Sequence, residues 1–200
     1  GSARGSLAAC GYGGDKGIFG YGWTATAITN LVSNAGVVAT DVAGVGTTRR
    51  YVAACGYGGD KGIFGYGTAA SHTAITNLVS NAGVVATDVA GVGTARYYLA
   101  ACEYGGDKGI FAYGWTGPTF LSMSNLVSNV GVVASDVAGV GTARRTPAAC
   151  EYGGDKGIFG YGKGGSETAI TNLVSNAGVV ASDVAGVGTA RSDLAACSFN

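Results

Sequence analysis

Tyr12-Gly13-Gly14-Asp15-Lys16-Gly17-Ile18-Phe19, or YGGDKGIF, returns unchanged from Tyr57, Tyr104 and Tyr152. A second marker, Gly-Val-Gly-Thr, starts at Gly44, Gly91, Gly139 and Gly186, at spacings of 47, 48 and 47 residues. Self-similarity at such a period is the mark of a repeat array, in which one unit cannot bury its apolar face alone and neighbours share a core. The 200 residues are therefore read as a single repeat domain. Its units run approximately over 4–48, 49–95, 96–143 and 144–190, and residues 191–200 are a surplus copy of the first strand.

Within a unit, Leu7-Ala-Ala-Cys-Gly-Tyr12 and Ile18-Phe-Gly-Tyr-Gly22 flank a turn with adjacent glycines. Two apolar runs around such a turn read as a β-hairpin, because glycine reaches the positive φ angles that tight turns need. Residues 27–34, AITNLVSN, are rich in β-branched side chains and read as a third strand, and VVATDVAGV from Val37 as a fourth. A helix over 28–42 is the rival, with Leu31, Ala35 and Val38 on one face. Asn34, Gly36 and the Val37-Val38 pair weigh against it. Four short strands in up-and-down order per 47 residues is the size of a propeller blade, with a β-solenoid or β-prism as the alternative. The expected fold is all-β.

The order of features resembles a kelch-type repeat: an Arg (Arg4, Arg49, Arg96, Arg144, Arg191), a small-residue strand of the LAAC type, a strand ending in glycines (IFGYG), the strand TNLVSN, and a fourth leading to the next Arg. The resemblance implies a propeller of four four-stranded blades. It departs from the kelch pattern where the double glycine is Gly-Tyr-Gly, or Ala-Tyr-Gly at Ala112, and where Val-Val stands for the usual fourth-strand Trp. Glycine-rich, near-identical units are also similar to phage and environmental reading frames, or to an engineered repeat. A galactose-oxidase-like copper site, the enzymatic use such a scaffold implies, calls for two histidines, and the chain has only His72.

Composition narrows the function. Twelve basic and twelve acidic residues balance, so no long-range field draws in nucleic acid or an anionic membrane, and no apolar run is long enough for a membrane span. Gly1-Ser2 reads as an expression remnant. The cysteines Cys10, Cys55, Cys102, Cys150 and Cys197 all follow Ala-Ala, without the spacing of a zinc site, and read as small buried strand residues. One Asp per unit in each of two places, Asp15 and Asp41 in the first, suits turn capping and backbone amides better than calcium. No cofactor and no metal are expected. The repeated Arg reads as a surface ion pair with the second Asp, or as a guanidinium at a channel mouth.

The four copies are nearly identical across their turns and diverge in two places: after the Gly-Tyr-Gly glycines and after Gly-Val-Gly-Thr. In an up-and-down blade both loops fall at the same end of the sheet. The expected binding face carries Trp23, Arg49, Arg50, Tyr51, His72, Tyr97, Tyr98, Trp115, Phe120, Arg144, Arg145, Lys163 and Glu167. Aromatic side chains and Arg dominate interface hot spots, and loops on a rigid scaffold are where binding is placed. The expected role is a non-enzymatic recognition or display scaffold for a protein or glycan. The alternative is a structural, self-assembling propeller in which the surplus strand joins chains into a homo-oligomer, since unpaired sheet edges recruit other chains.

Overall fold

The computed structural model describes residues 1–24 and 26–198. Strands β1 (Ala8–Tyr12), β2 (Lys16–Gly20) and β3 (Thr29–Val32) make the first sheet, and β4 (Ala53–Tyr57), β5 (Lys61–Gly65) and β6 (Thr76–Val79) the second. The third sheet holds β7 (Ala100–Tyr104), β8 (Lys108–Ala112) and β9 (Ser124–Val127), and the fourth holds β10 (Ala148–Tyr152), β11 (Lys156–Gly160) and β12 (Thr171–Val174). All are antiparallel and share one register. Cys10 faces Ile18 and Ile18 faces Leu31, as Cys55, Ile63 and Leu78 do in the second sheet. The chain is thus all-β, with four three-stranded sheets repeating at about 47 residues. They pack in chain order, β1 beside β4, β4 beside β7 and β7 beside β10. No helix among the described residues is long and apolar enough to cross a membrane.

The hairpin turns follow from adjacent glycines: Gly13 and Gly14 sit at φ +61° and +81°, a conformation closed to most side chains. Lys16 Nζ donates to Asp15 at 2.8 Å and Asn34 donates to the other Asp15 oxygen at 3.0 Å, tying the two invariant turns of the sheet together.

The fourth strand expected from VVATDVAGV does not form a regular ladder. Its backbone pairs with β3 as the isolated bridges Val32–Val38 and Thr29–Val42. The cause is the Asn30 side chain, whose amide donates to the Ala39 carbonyl at 3.1 Å and to Asp41 at 2.8 Å. A carboxamide standing in for backbone partners breaks the pairing, and Asn77, Asn125 and Asn172 do the same in the other sheets.

Between sheets, the same set of contacts recurs. Phe64, Phe111 and Phe159 are fully buried, each edge-on to the Tyr of the preceding sheet (Tyr21, Tyr66, Tyr113) at 5.2–5.4 Å. Each Phe needs a small residue beneath it: a Cβ on Gly20 or Gly65 would lie 2.7 or 2.8 Å from the ring of Phe64 or Phe111. Gly62, Gly109 and Gly157 make room for the Cys10, Cys55 and Cys102 thiols in the same way. Those three cysteines fill the space beside a bare backbone, and burial pushes the Cys10 thiol up to about 12. Cys150 is half-buried and Cys197 exposed, with no following sheet against them; all five are free thiols.

Residues 191–198 repeat the beginning of the chain but join no ladder among the described residues. They nevertheless stand with the four first strands. Ala9, Cys55, Cys102, Cys150 and Cys197 line one cavity of about 360 Å³. Leu7, Val52, Leu99, Pro147 and Leu194 line another of about 360 Å³, a few residues earlier in the same segments. Five copies of the first segment therefore surround shared space. Residues 199 and 200, the end of the surplus strand expected from the sequence, lie outside the described residues.

Candidate functional site

The repeated Arg is the first element to place. Arg49, Arg96 and Arg144 have no exposed surface. Arg49 lies over the ring of Tyr21 from the preceding sheet (4.6 Å to the centroid), while its Nη2 donates to Asn77 at 2.6 Å and its Nη1 stands 3.6 Å from Asp88, both in the following sheet. Arg96 covers Tyr66 and donates to the Tyr113 carbonyl, and Arg144 covers Tyr113 and donates to the Tyr161 carbonyl and to Asn172. Each guanidinium is thus a buried rivet between two sheets. Neither the channel-mouth nor the surface-pair expectation describes it, although its Asp partner is the one foreseen.

That Asp holds the chain entering the sheet. Asp88 accepts from the Thr47 amide and hydroxyl, Asp136 from Thr94 and Asp183 from Thr142. Partial burial pushes these three carboxyls upward, but the Thr and Asn hydrogen bonds and the Arg charge outweigh it and hold them below the usual range. In the first sheet Ser2 takes the place of the Thr, donating its amide and hydroxyl to Asp41 and helping to lower that carboxyl to about 2. Gly1-Ser2 therefore occupies the Gly-Thr position of the repeat and is part of its structure.

The variable segments meet, as the up-and-down reading requires. Backbone bridges join Arg50 to Thr68, Tyr97 to Trp115 and Arg145 to Lys163, pairing the two variable segments within each unit. Within the second loop, bridges join Thr68 to His72, Trp115 to Phe120 and Lys163 to Glu167.

On this framework the aromatic side chains form an unbroken strip. Trp23 packs on Tyr51 (6.2 Å between centroids), Tyr51 on Tyr98 (4.2 Å) and Tyr97 (6.0 Å), Tyr97 on Trp115 (5.4 Å), and Trp115 on Phe120 (6.2 Å). His72 stacks on Tyr97 at 4.4 Å and its Nδ1 lies 3.2 Å from the Thr68 hydroxyl. Arg50 stacks over Trp23 at 4.0 Å, and Arg145 over Trp115 at 4.8 Å and Tyr98 at 5.4 Å. The strip runs across three sheets, and Tyr51 and Tyr98 carry it to the rim of the second cavity.

Tyr51 and Tyr98 hold left-handed backbone angles, φ +55° and +57°. Ser6, Thr146 and Asp193 adopt the same angle at the equivalent positions. Small polar residues tolerate that conformation better than bulky ones, so two tyrosines there are held against local preference. Burial and the neighbouring Tyr51 push the Tyr98 hydroxyl up to about 12, and burial, opposed by Arg145, raises that of Tyr97.

Nine of the thirteen expected residues belong to this strip or stack on it. Lys163 and Glu167 lie beyond its end, with Glu167 accepting from Ser192 at 3.1 Å. Arg49 and Arg144 are in the sheet junctions instead, fully buried, and take no part in the exposed face. Among the described residues, no group of three or more His, Cys, Asp or Glu side chains is placed to hold a metal ion. No protein-family model matches the chain, and no curated protein matches it.

Proposed function

We propose that the chain is a propeller-like recognition module, related in design to kelch-type arrays, whose ligand is held on the aromatic strip from Trp23 to Phe120. The observation that carries this reading is the continuity of the strip: six aromatic side chains in contact from end to end, all but Trp23 half-buried, flanked by two guanidinium groups on their faces. Aromatic faces stack on sugar rings and on flat side chains, and Arg at the edge supplies donors to carboxylates. The chemistry fits a glycan bearing carboxylate groups, and a protein surface is the competing ligand. The activity is binding, without turnover. Five first segments around shared cavities support the propeller-like arrangement.

Trp23 and Trp115 are the only tryptophans of the chain, so fluorescence excited selectively at tryptophan reports on this strip alone. Titration with oligogalacturonate, a uronic acid polymer, is expected to shift the emission saturably. Tyr97→Ala and Tyr98→Ala are expected to weaken the response by about tenfold or more with the unfolding midpoint little changed. No spectral change with acidic or neutral oligosaccharides would overturn the glycan reading.

A further inference from the structure

The two end faces of the array are the two halves of the junction that its interior makes three times. On the fourth sheet, Gly160 and Tyr161 correspond to Gly20 and Tyr21, yet no Phe lies on them: a Cβ on Gly160 would meet only Thr171, at 3.2 Å. A pocket of about 210 Å³ stands there instead, lined by Ile158, Gly160, Tyr161, Arg191, Leu194 and Ala195 among others. On the first sheet the corresponding Phe is present and unused. Phe19 is 38% exposed where Phe64, Phe111 and Phe159 are at 0%.

The other contacts split the same way. Gly83 makes room for Tyr12 and Leu31 of the sheet before it, whereas Gly36 has nothing within 4 Å. Tyr152 and Leu173, the equivalents of Tyr12 and Leu31 on the fourth sheet, are 36% and 39% exposed. Gly17 has no Cys thiol against it, and Cys150 has no such glycine. Gly13, Gly58 and Gly105 donate their amides to the backbone carbonyls of Asp60, Asp107 and Asp155 in the next sheet, and the Asp15 carbonyl and the Gly153 amide are the acceptor and donor of that series left without such a bond.

We propose that the fourth-sheet face binds the first-sheet face of a second copy of this chain, with Phe19 of that copy in the Gly160–Tyr161 pocket. The occupant is argued from the molecule itself: the Phe, Gly, Cys and backbone groups left unused on one face have their missing partners on the other, in an interface already built three times. Two first segments compete at such a junction, residues 191–198 of one copy and β1 of the next. Leu194-Ala-Ala-Cys197 repeats Leu7-Ala-Ala-Cys10, so it can pair with β2 in the β1 register, and it has no ladder of its own. The junction is head-to-tail, with different surfaces on the two copies, and therefore leads to rings or chains.

Native mass spectrometry and light scattering of the whole protein across a concentration series test this. Above the 19.6 kDa monomer, dimers and larger head-to-tail species are expected to grow with concentration. Phe19→Ala and Gly160→Leu, which empties the ligand and fills the pocket respectively, are each expected to raise the midpoint concentration about tenfold or more. Phe19 is partly exposed, so Phe19→Ala keeps the fold, and Ala112 at the Gly160 position of the third sheet shows that a Cβ is accommodated there; the unfolding midpoint of each variant is measured alongside. Mixing the two is expected to restore a heterodimer, since Phe19 of the Gly160→Leu chain meets an intact pocket on the Phe19→Ala chain. A monomer at every concentration would overturn the proposal, as would variants that assemble like the parent or a mixture no more associated than either variant.

Discussion

The second-to-third sheet junction and the two ends of the array are made from the same residues, yet only one of them is a core. At the junction, Arg96 is closed off between Tyr66 and Asp136, and Phe111 lies on Gly65 and Tyr66. At the C-terminal end, Arg191 still covers Tyr161 at 4.4 Å but is exposed, with no Asn or Asp of a following sheet to receive it. The difference teaches that the stability of a unit is held in the contact with its neighbour, as nearest-neighbour energetics of repeat arrays requires. Identical side chains should therefore matter unequally along the chain.

The largest contrast is expected at the Arg. Arg96→Ala leaves Tyr66 over a cavity and the Tyr113 and Thr94 carbonyls without their donor, which is expected to cost about 2–4 kcal/mol. Arg191→Ala removes a solvated contact and is expected to cost less than about 1 kcal/mol. Urea midpoints of the two variants measure the contrast, and equal losses would break it.

Acid gives a smaller effect, spread over all four sheets. Asp41, Asp88, Asp136 and Asp183 are held below their ordinary range, as are the turn carboxylates Asp15, Asp60, Asp107 and Asp155 beside their Lys and Asn partners. A carboxyl whose folded value is depressed adds stability that is complete above its unfolded value, about 3.9, and is lost as pH falls through the folded value. The urea midpoint is expected to be flat between pH 7 and 5 and to fall from pH 4 toward 2. Asp136→Asn should start lower at pH 7 and lose less on acidification. A midpoint that rises below pH 4 would contradict this assignment.

Much of the fold could be read from the sequence because it is local. Paired glycines after an apolar run and the return of the same residues every 47 positions are enough for the hairpins and their number. The outer strand was not legible, because the Val-rich pattern of residues 37–45 says strand while the interruption comes from Asn30, on another segment. The Arg was misplaced for a similar reason: its ring and carboxylate partners come from different units, and no single unit shows both.

Comparison of the copies located the aromatic strip, since its residues are those that differ. It could not separate Arg49 from Arg50 or Arg144 from Arg145. Successive residues of extended chain face opposite sides, so one of each pair points between the sheets and the other onto the strip. The Tyr–Arg–Asn–Asp set had a visible signal, a fixed separation from Arg49 to Asn77 and Asp88 that returns from Arg144 to Asn172 and Asp183.

The most direct test of the inequality between interior and end is a matched pair of denaturation curves, Phe111→Ala against Phe19→Ala, at a protein concentration low enough to keep the chain monomeric. Phe111→Ala is expected to lose about 3–5 kcal/mol, the usual cost of emptying a buried phenylalanine site, and Phe19→Ala a small fraction of that. Equal losses would mean that the first sheet is covered in solution as the third is, and would contradict the account of two unfilled half-junctions.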